Sequence, residues 1–198
     1  MDGDTFLTIG AAAQAKLVEK KSVFLSFVHP IGTADDAEDL LRQYRKKYYD
    51  ARHICYAYVL GEPSDAKSSD NGEPSGTAGR PILGVLLAHN LRYVCCIVVR
   101  YFGGIKLGTS GLADAYQISA EMAYENTVVV EKKEEILVEV GFDYFQMNSV
   151  MTTIKSLNLK VLESNFDNKC VLKVMVPKST MQRLQFQLSK IVNHMDIL

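Results

Sequence analysis

The sequence has no long apolar run and no N-terminal leader pattern. No apolar stretch approaches the roughly 18 residues that a membrane-spanning helix needs, so we predict no membrane partner. The N-terminus carries Asp2 and Asp4, whereas a secretory signal begins with a basic segment followed by an apolar core. We therefore expect a cytoplasmic protein.

Paired cysteine motifs are also missing. The four cysteines form no C-x-x-C pair, and two of them, Cys95 and Cys96, are adjacent on a predicted strand, where neighbouring side chains point to opposite faces. This spacing argues against a disulfide framework and against a structural zinc site. We predict reduced thiols at Cys55, Cys95, Cys96 and Cys170, with no metal and no cofactor.

Charge of one sign is not in excess. The 198 residues include 22 basic and 23 acidic side chains. Up to residue 130 there are 13 basic and 15 acidic side chains, and after it 9 basic and 8 acidic ones. Neither part is a strongly basic nucleic-acid binder.

What the chain does have is glycine, concentrated in two loops that flank one apolar strand. The first loop, 70–79, contains three glycines and a proline, and the second, 100–112, is basic. Glycine lets a backbone approach a ligand closely, and a loop that runs into a helix presents unpaired N–H groups and the positive end of the helix dipole. With Arg100 and Lys106, the second loop could cradle a phosphate or carboxylate. A tight turn followed by an N-cap at Thr109 or Ser110 is the alternative.

These loops supply the predicted site. The anion-binding residues are Arg100, Tyr101, Gly103, Gly104, Lys106, Gly108, Thr109 and Ser110, and the loop partners are His53, Asp70, Glu73, Ser75 and Thr77.

Three segments carry a family resemblance. They read D-N-G-E-P-S-G-T-A-G-R-P-I-L from residue 70, V-V-R-Y-F-G-G-I-K-L-G from residue 98 and A-R-H-I-C-Y-A from residue 51. Together they resemble the YigZ/IMPACT family, although Ser110 stands where that family more often has glycine. The resemblance implies translational control through partner proteins. It also implies an N-terminal fold shared with a ribosomal protein domain and the GHMP kinases, and a C-terminal module similar to the last domain of elongation factor G.

Apolar periodicity predicts an α+β chain with two domains, 1–131 and 135–198. The family resemblance implies that the first is a ribosomal-protein/GHMP-like two-layer α/β domain. Its predicted strands cover 6–18, 22–29, 53–60, 93–101 and 128–130, its helices 34–48, 81–89 and 109–124, and 61–79 is a polar loop. In the second domain the predicted strands cover 136–140, 159–165, 170–176 and 194–198, with a helix over 145–157, a turn at 167–169 and a second helix before the last strand. This is the order β-α-β-β-α-β, which is typical of a ferredoxin-like fold.

Three side-chain groupings have alternative interpretations. His53 and Cys55 share a strand face, but residues two apart lie roughly 7 Å from each other, which favours a buried thiol and a loop-bonded histidine over a nucleophile. Asp70 and Glu73 could bind Mg²⁺ or share acid/base chemistry, but no histidine or third carboxylate has a suitable ligand spacing. The basic side chains of the 34–48 helix form either a solvated face or a partner surface.

Two functions follow. The first is a non-catalytic regulator or binding module of the translation apparatus, which binds the ribosome, RNA or a translation-control protein. The second is an enzyme or sensor for a small phosphorylated or anionic ligand held by the glycine-rich loops. The GHMP kinase phosphate-loop pattern is absent, which disfavours an ATP-dependent kinase. The sequence assigns no catalytic residue and no oligomeric state.

Overall fold

The computed structural model describes residues 4–61, 63–167 and 169–198 and divides into two compact units. One unit comprises Phe6–Glu131. The other comprises Lys132–Leu198 together with the chain up to Thr5. The α+β fold class predicted from the sequence is confirmed.

The first unit is built on a five-stranded antiparallel sheet. Its strands, in sheet order, are β2 (Ala13–Glu19), β3 (Ser22–Pro30), β6 (Val94–Tyr101), β4 (His53–Val59) and β5 (Ala66–Ser69). A separate two-stranded sheet pairs β1 (Thr5–Ile9) with β7 (Val129–Lys133). The segment predicted as one strand over 6–18 is thus two strands, separated around Gly10.

Helices cover both faces of the five-stranded sheet. The helices α2 (Gly79–Ala88) and α3 (Gly108–Glu125) pack on one face, and α1 (Ala34–Lys47) packs on the other. As predicted, α1 begins after Thr33, whose side chain accepts a hydrogen bond from the Asp36 N–H in a capping box.

Strand β6 is buried along nearly its whole length, as its lack of alternation predicts. Its side chains nevertheless divide between two cores. Cys96 and Val98 belong to the core beneath α2 and α3, whereas Cys95, Ile97 and Val99 belong to the core beneath α1. This alternation decides which residues at the end of β6 can reach the glycine-rich loops.

The second unit has the predicted ferredoxin-like order. Its elements are β8 (Glu135–Phe142), α4 (Met147–Ser156), β9 (Lys160–Asn165), β10 (Cys170–Pro177), α5 (Met181–Leu188) and β11 (His194–Ile197), with the sheet order β11-β8-β10-β9. Both helices pack on one face, and β10 alternates strictly between buried and half-buried positions. The predicted 167–169 turn includes Asn168, which lies outside the described residues.

Three predicted boundaries are wrong. The polar loop 61–79 contains a 3₁₀ turn, Pro63–Asp65, and the strand β5, which pairs with β4. Helix α2 begins at Gly79 rather than Pro81. The helix predicted over 145–157 starts as a 3₁₀ turn, Tyr144–Gln146, before α4. No helix in the described part of the chain is both long and apolar enough to span a bilayer.

Candidate functional site

One end of the five-stranded sheet forms the floor of a cleft. His53 at the start of β4 lies directly opposite Arg100 on β6, which lies opposite Phe24 on β3. Because alternation places Arg100 on the same face as Val98, this row faces α2 and α3. Tyr101 points to the other face, where its hydroxyl donates to Asp50 Oδ1 at 2.8 Å. The structure therefore does not bring Tyr101 into the lining of the cleft.

Arg100 is locked to the first glycine-rich loop by a buried ion pair. Its Nη1 lies 2.5 Å from Glu73 Oε1, and only 5% of Arg100 and 9% of Glu73 is exposed. The same carboxylate oxygen accepts a hydrogen bond of 2.9 Å from the hydroxyl of Tyr116 on α3. These three side chains, the buried triad, tie the loop, the sheet and the helix together.

The thiol beside the triad is protonated at neutral pH. Cys55 Sγ lies 3.3 Å from Tyr116 Oη and 2.9 Å from the Asp70 carbonyl oxygen. Burial raises the Cys55 pKa to about 12, although the Tyr116 hydrogen bond opposes this rise. His53 Nδ1 lies 3.0 Å from the Asn71 carbonyl oxygen, so this nitrogen carries the proton and donates it. The interpretation as a buried thiol and a loop-bonded histidine is confirmed.

Asp70 organises the first loop from within. Its carboxylate accepts hydrogen bonds from the backbone N–H groups of Gly76, Ala78 and Gly79 at 2.8 to 2.9 Å. Partial burial acts to raise the Asp70 pKa, but these three donors and the Arg80 charge together lower it below its ordinary value. The N-cap residue of helix α2, Ala78, makes no side-chain cap hydrogen bond. The Asp70 carboxylate, eight residues upstream, accepts hydrogen bonds from the first N–H groups of the helix instead.

The second loop favours glycine for two different reasons, close backbone approach and positive φ. A Cβ on Gly103 would lie 2.0 Å from the Lys21 carbonyl carbon, so only glycine fits there. Gly108 has a φ of +78°, which favours glycine, and it is the first residue of α3. The N-cap is Leu107, which makes no side-chain cap hydrogen bond, so the predicted N-cap at Thr109 or Ser110 is wrong.

Above the floor lies a cleft of about 420 Å³. Its lining includes six of the predicted residues and five that sequence reasoning missed. The predicted residues are His53, Glu73, Arg100, Lys106, Gly108 and Thr109, and the missed ones are Arg52, Pro74, Phe102, Leu107 and Leu112.

Of the missed residues, Arg52 and Phe102 had a signal in the sequence. Arg52 directly precedes His53 in the A-R-H-I-C-Y-A segment, and Phe102 is an aromatic residue between the basic and glycine positions of the second loop.

The other predicted residues lie outside the lining. Thr77 donates its hydroxyl to the Pro74 carbonyl at 2.7 Å, and the Gly103 N–H donates to Ser22 Oγ at 3.2 Å. The Asp70 carboxylate is engaged by backbone N–H groups of its own loop. The structure does not bring the remaining ones into the cleft either: Gly104, Ser110 and Ser75.

The cleft is electropositive. Arg52, Arg100 and Lys106 outnumber the single carboxylate, Glu73, and the uncapped α3 N-terminus adds the positive end of a helix dipole. In residues 4–61, 63–167 and 169–198, no three histidine, cysteine or carboxylate side chains are grouped to hold a metal ion. This arrangement suits an anion.

A family model, several known relatives and a solved structure match this chain. The family model described as the Impact N-terminal domain matches residues 20–124. The chain is 34% identical over 163 residues to the IMPACT family member YvyE of Bacillus subtilis, which covers 82% of this chain and 75% of YvyE. It is 31% identical over 183 residues to the IMPACT family member YigZ of Escherichia coli, with 90% of each chain covered. A crystal structure of a hypothetical protein superposes with a TM-score of 0.70 at 27% identity, covering 98% of this chain and 97% of the other.

Proposed function

Because this chain belongs to the IMPACT family, we propose that it is a cytoplasmic, non-catalytic binding module of the translation apparatus. In this proposal the cleft holds phosphate groups of ribosomal RNA. Family membership supports a role in translational control. The geometry supports the phosphate contact.

One observation carries the phosphate contact. The exposed side chains of Arg52 and Lys106 line the same cleft as Gly108 and Thr109, the first residues of the uncapped helix α3. Two cations and free backbone N–H donors at a helix N-terminus form a site for phosphate oxygens. Contacts of this kind position a protein on RNA without reading its sequence.

The cleft is better equipped for binding than for catalysis. Glu73 is engaged by Arg100 and Tyr116, and Asp70 by three backbone N–H groups. The Cys55 thiol has a pKa of about 12 and is not a nucleophile at neutral pH. The side chains of Glu73, Asp70 and Cys55 thus already serve the structure.

A small phosphorylated ligand is the second candidate. The cleft volume of about 420 Å³ falls within the range of roughly 300–1,000 Å³ that is typical of small-molecule sites. In that case the same cations and N–H groups would hold the terminal phosphate of the free ligand.

Sedimentation with ribosomes and ribosomal subunits tests the first candidate. The salt series runs from about 50 to 200 mM, and the double variant Arg52→Ala/Lys106→Ala is compared with Lys16→Ala, which removes an exposed cation from the opposite face of the sheet. We expect wild-type binding to weaken steeply with salt. The double variant should bind more weakly, with a salt slope lower by about 1 for each phosphate that it no longer neutralises, and Lys16→Ala should match the wild type.

Two results would overturn the RNA contact. Absence of co-sedimentation at the lowest salt would remove the ribosome as partner, and titration with phosphorylated small molecules would then test the second candidate. Binding that weakens with salt but is insensitive to the double variant would instead place the contact on another charged surface, for which the basic face of α1 is the first surface to mutate.

A further inference from the structure

We propose that the cleft binds one unpaired nucleotide, with its base stacked on Phe102 and its phosphate at the start of α3. This inference rests on the proposed phosphate site and names the chemistry of what binds there. It adds an aromatic contact that the electrostatic argument does not require.

Phe102 is an exposed aromatic ring in the lining of the cleft. It directly follows β6, and 52% of it is exposed. The guanidinium Cζ of Arg100 lies 5.6 Å from the centroid of the Phe102 ring and 5.5 Å from that of Phe24. Because the buried ion pair with Glu73 holds Arg100 in place, Phe102 rests on a fixed cation while about half of its surface faces solvent.

Arg100 also retains unused donor capacity. It is about 95% buried and lines the cleft, and within the described residues its Nε has no hydrogen-bond acceptor. The Arg100 side chain is thus incompletely satisfied by the protein, directly beneath the ring proposed to hold the base. A buried group of this kind is uncommon and calls for an explanation in the function of its surroundings.

The lining of the cleft divides into two chemical halves. Arg52, Lys106 and the N–H groups of Gly108 and Thr109 are polar and suit an anion. The other half is apolar and consists of Phe102, Pro74, Leu107 and Leu112. Inorganic phosphate uses only the first half, and a base-paired duplex offers no free base to the second. A nucleotide with an exposed base uses both, because every base has a flat face that stacks on an aromatic ring.

Fluorescence anisotropy with defined probes tests this inference. The probes are a fluorescein-labelled single-stranded RNA hexamer, a hexamer of the same length whose ribose units lack bases, and a blunt RNA duplex. The variants are Phe102→Ala, Phe102→Tyr and Ile118→Ala, an apolar residue on α3 with a similar exposed fraction of 50%. Thermal unfolding of each variant establishes that it is folded.

We expect Phe102→Ala to weaken hexamer binding at least about fivefold, the lower end of what loss of one stacked base produces. Phe102→Tyr keeps the ring and should bind like the wild type, as should Ile118→Ala. The abasic hexamer should bind more weakly than the base-bearing one and should not respond to Phe102→Ala. If a free nucleoside monophosphate competes with the hexamer, the occupant is a free nucleotide. If it does not compete, the occupant is a nucleotide within an RNA strand.

The outcomes separate this inference from the proposed function. If the abasic hexamer binds as well as the base-bearing hexamer, or if Phe102→Ala binds both like the wild type, the stacking contact is refuted and the phosphate site stands. If no probe binds and Arg52→Ala/Lys106→Ala has no effect in sedimentation, the proposed function fails as well.

Discussion

Basic and aromatic residues occur both on the floor and on the rim of the cleft, but those on the floor are buried and bonded, whereas those on the rim are exposed. On the floor, Arg100, Glu73 and Tyr116 are each less than 10% exposed, and both Arg100 and Tyr116 bond to Glu73. On the rim, Arg52, Lys106 and Phe102 are exposed. A cation on the floor therefore holds the fold, whereas a cation on the rim is available to a ligand. Substitutions on the floor should change stability, and substitutions on the rim should change binding.

Glu73→Ala gives the largest expected effect on stability. It leaves the Arg100 charge buried without its partner, which typically costs about 3–5 kcal/mol. Urea denaturation measures this loss of unfolding free energy. Glu38→Ala is the matched control, since Glu38 is half-exposed and lies 3.9 Å from Lys67 in a surface pair that should contribute less than about 1 kcal/mol.

A second variant tests whether the loss of unfolding free energy in Glu73→Ala comes from the unpaired charge of Arg100. Glu73→Leu/Arg100→Met removes both charges, and a buried ion pair replaced by apolar groups of similar volume is often neutral. The double variant should therefore be more stable than Glu73→Ala. A loss below about 1 kcal/mol for Glu73→Ala would contradict the division between floor and rim.

Tyr116→Phe should have the next largest effect. It removes one hydroxyl from a fully buried ring and deprives Glu73 of its second donor. A hydrogen bond to a charged group contributes about 1.5–3 kcal/mol, and denaturant titration should show a loss of that size. Tyr124→Phe, on the same helix, is the control, and stabilities equal within error for the two variants would exclude a role for the triad hydrogen bond.

Asp70→Asn should destabilise the protein by about 0.5–2 kcal/mol, the usual range for loss of a helix cap. The effect should depend on pH, because the folded-state Asp70 pKa is lowered. The stabilisation is fully present above the unfolded-state pKa of about 3.9 and is lost as the pH falls through the lower folded-state pKa. The melting temperatures of the two proteins should therefore begin to converge below about pH 4 and should meet only below the folded-state pKa of Asp70. A difference that stays constant across that range would show that the carboxylate charge is not involved.

Arg52→Ala and Lys106→Ala should have the smallest effect on stability. Both side chains are exposed, and surface substitutions usually change unfolding free energy by less than about 0.5 kcal/mol. Their effect should appear in ribosome co-sedimentation instead. If either variant unfolds at a markedly lower urea concentration than the wild type, that cation stabilises the fold as the floor residues do.

The sequence predicted much of the fold, and strand alternation could have predicted more of the site. The order of elements follows from periodicity, and so does the placement of Cys95 and Cys96 in different cores. The same period of two puts Arg100 and Tyr101 on opposite faces, so Tyr101 could have been left out of the site from the sequence alone.

Other features depend on tertiary structure that no local pattern encodes. Glu73 and Arg100 are 27 residues apart, so their pairing follows only from the fold. The strand β5 has the sequence A-K-S-S, which has little β-propensity, and it is a strand because the edge of β4 supplies its hydrogen-bond partners. Helix α2 begins before Pro81 because the distant Asp70 carboxylate satisfies its first N–H groups.

The buried thiols have a further consequence for the two units. Cys55, Cys95 and Cys96 lie in the cores of the first unit, and Cys170 lies in the core of the second. Burial raises the pKa of both Cys55 and Cys95 to about 12. An alkylating reagent that attacks thiolates can therefore modify the first three only when the first unit opens. The rate of thiol alkylation therefore reports the local unfolding of each unit separately. Mass spectrometry can measure both rates in a single sample without any engineered label.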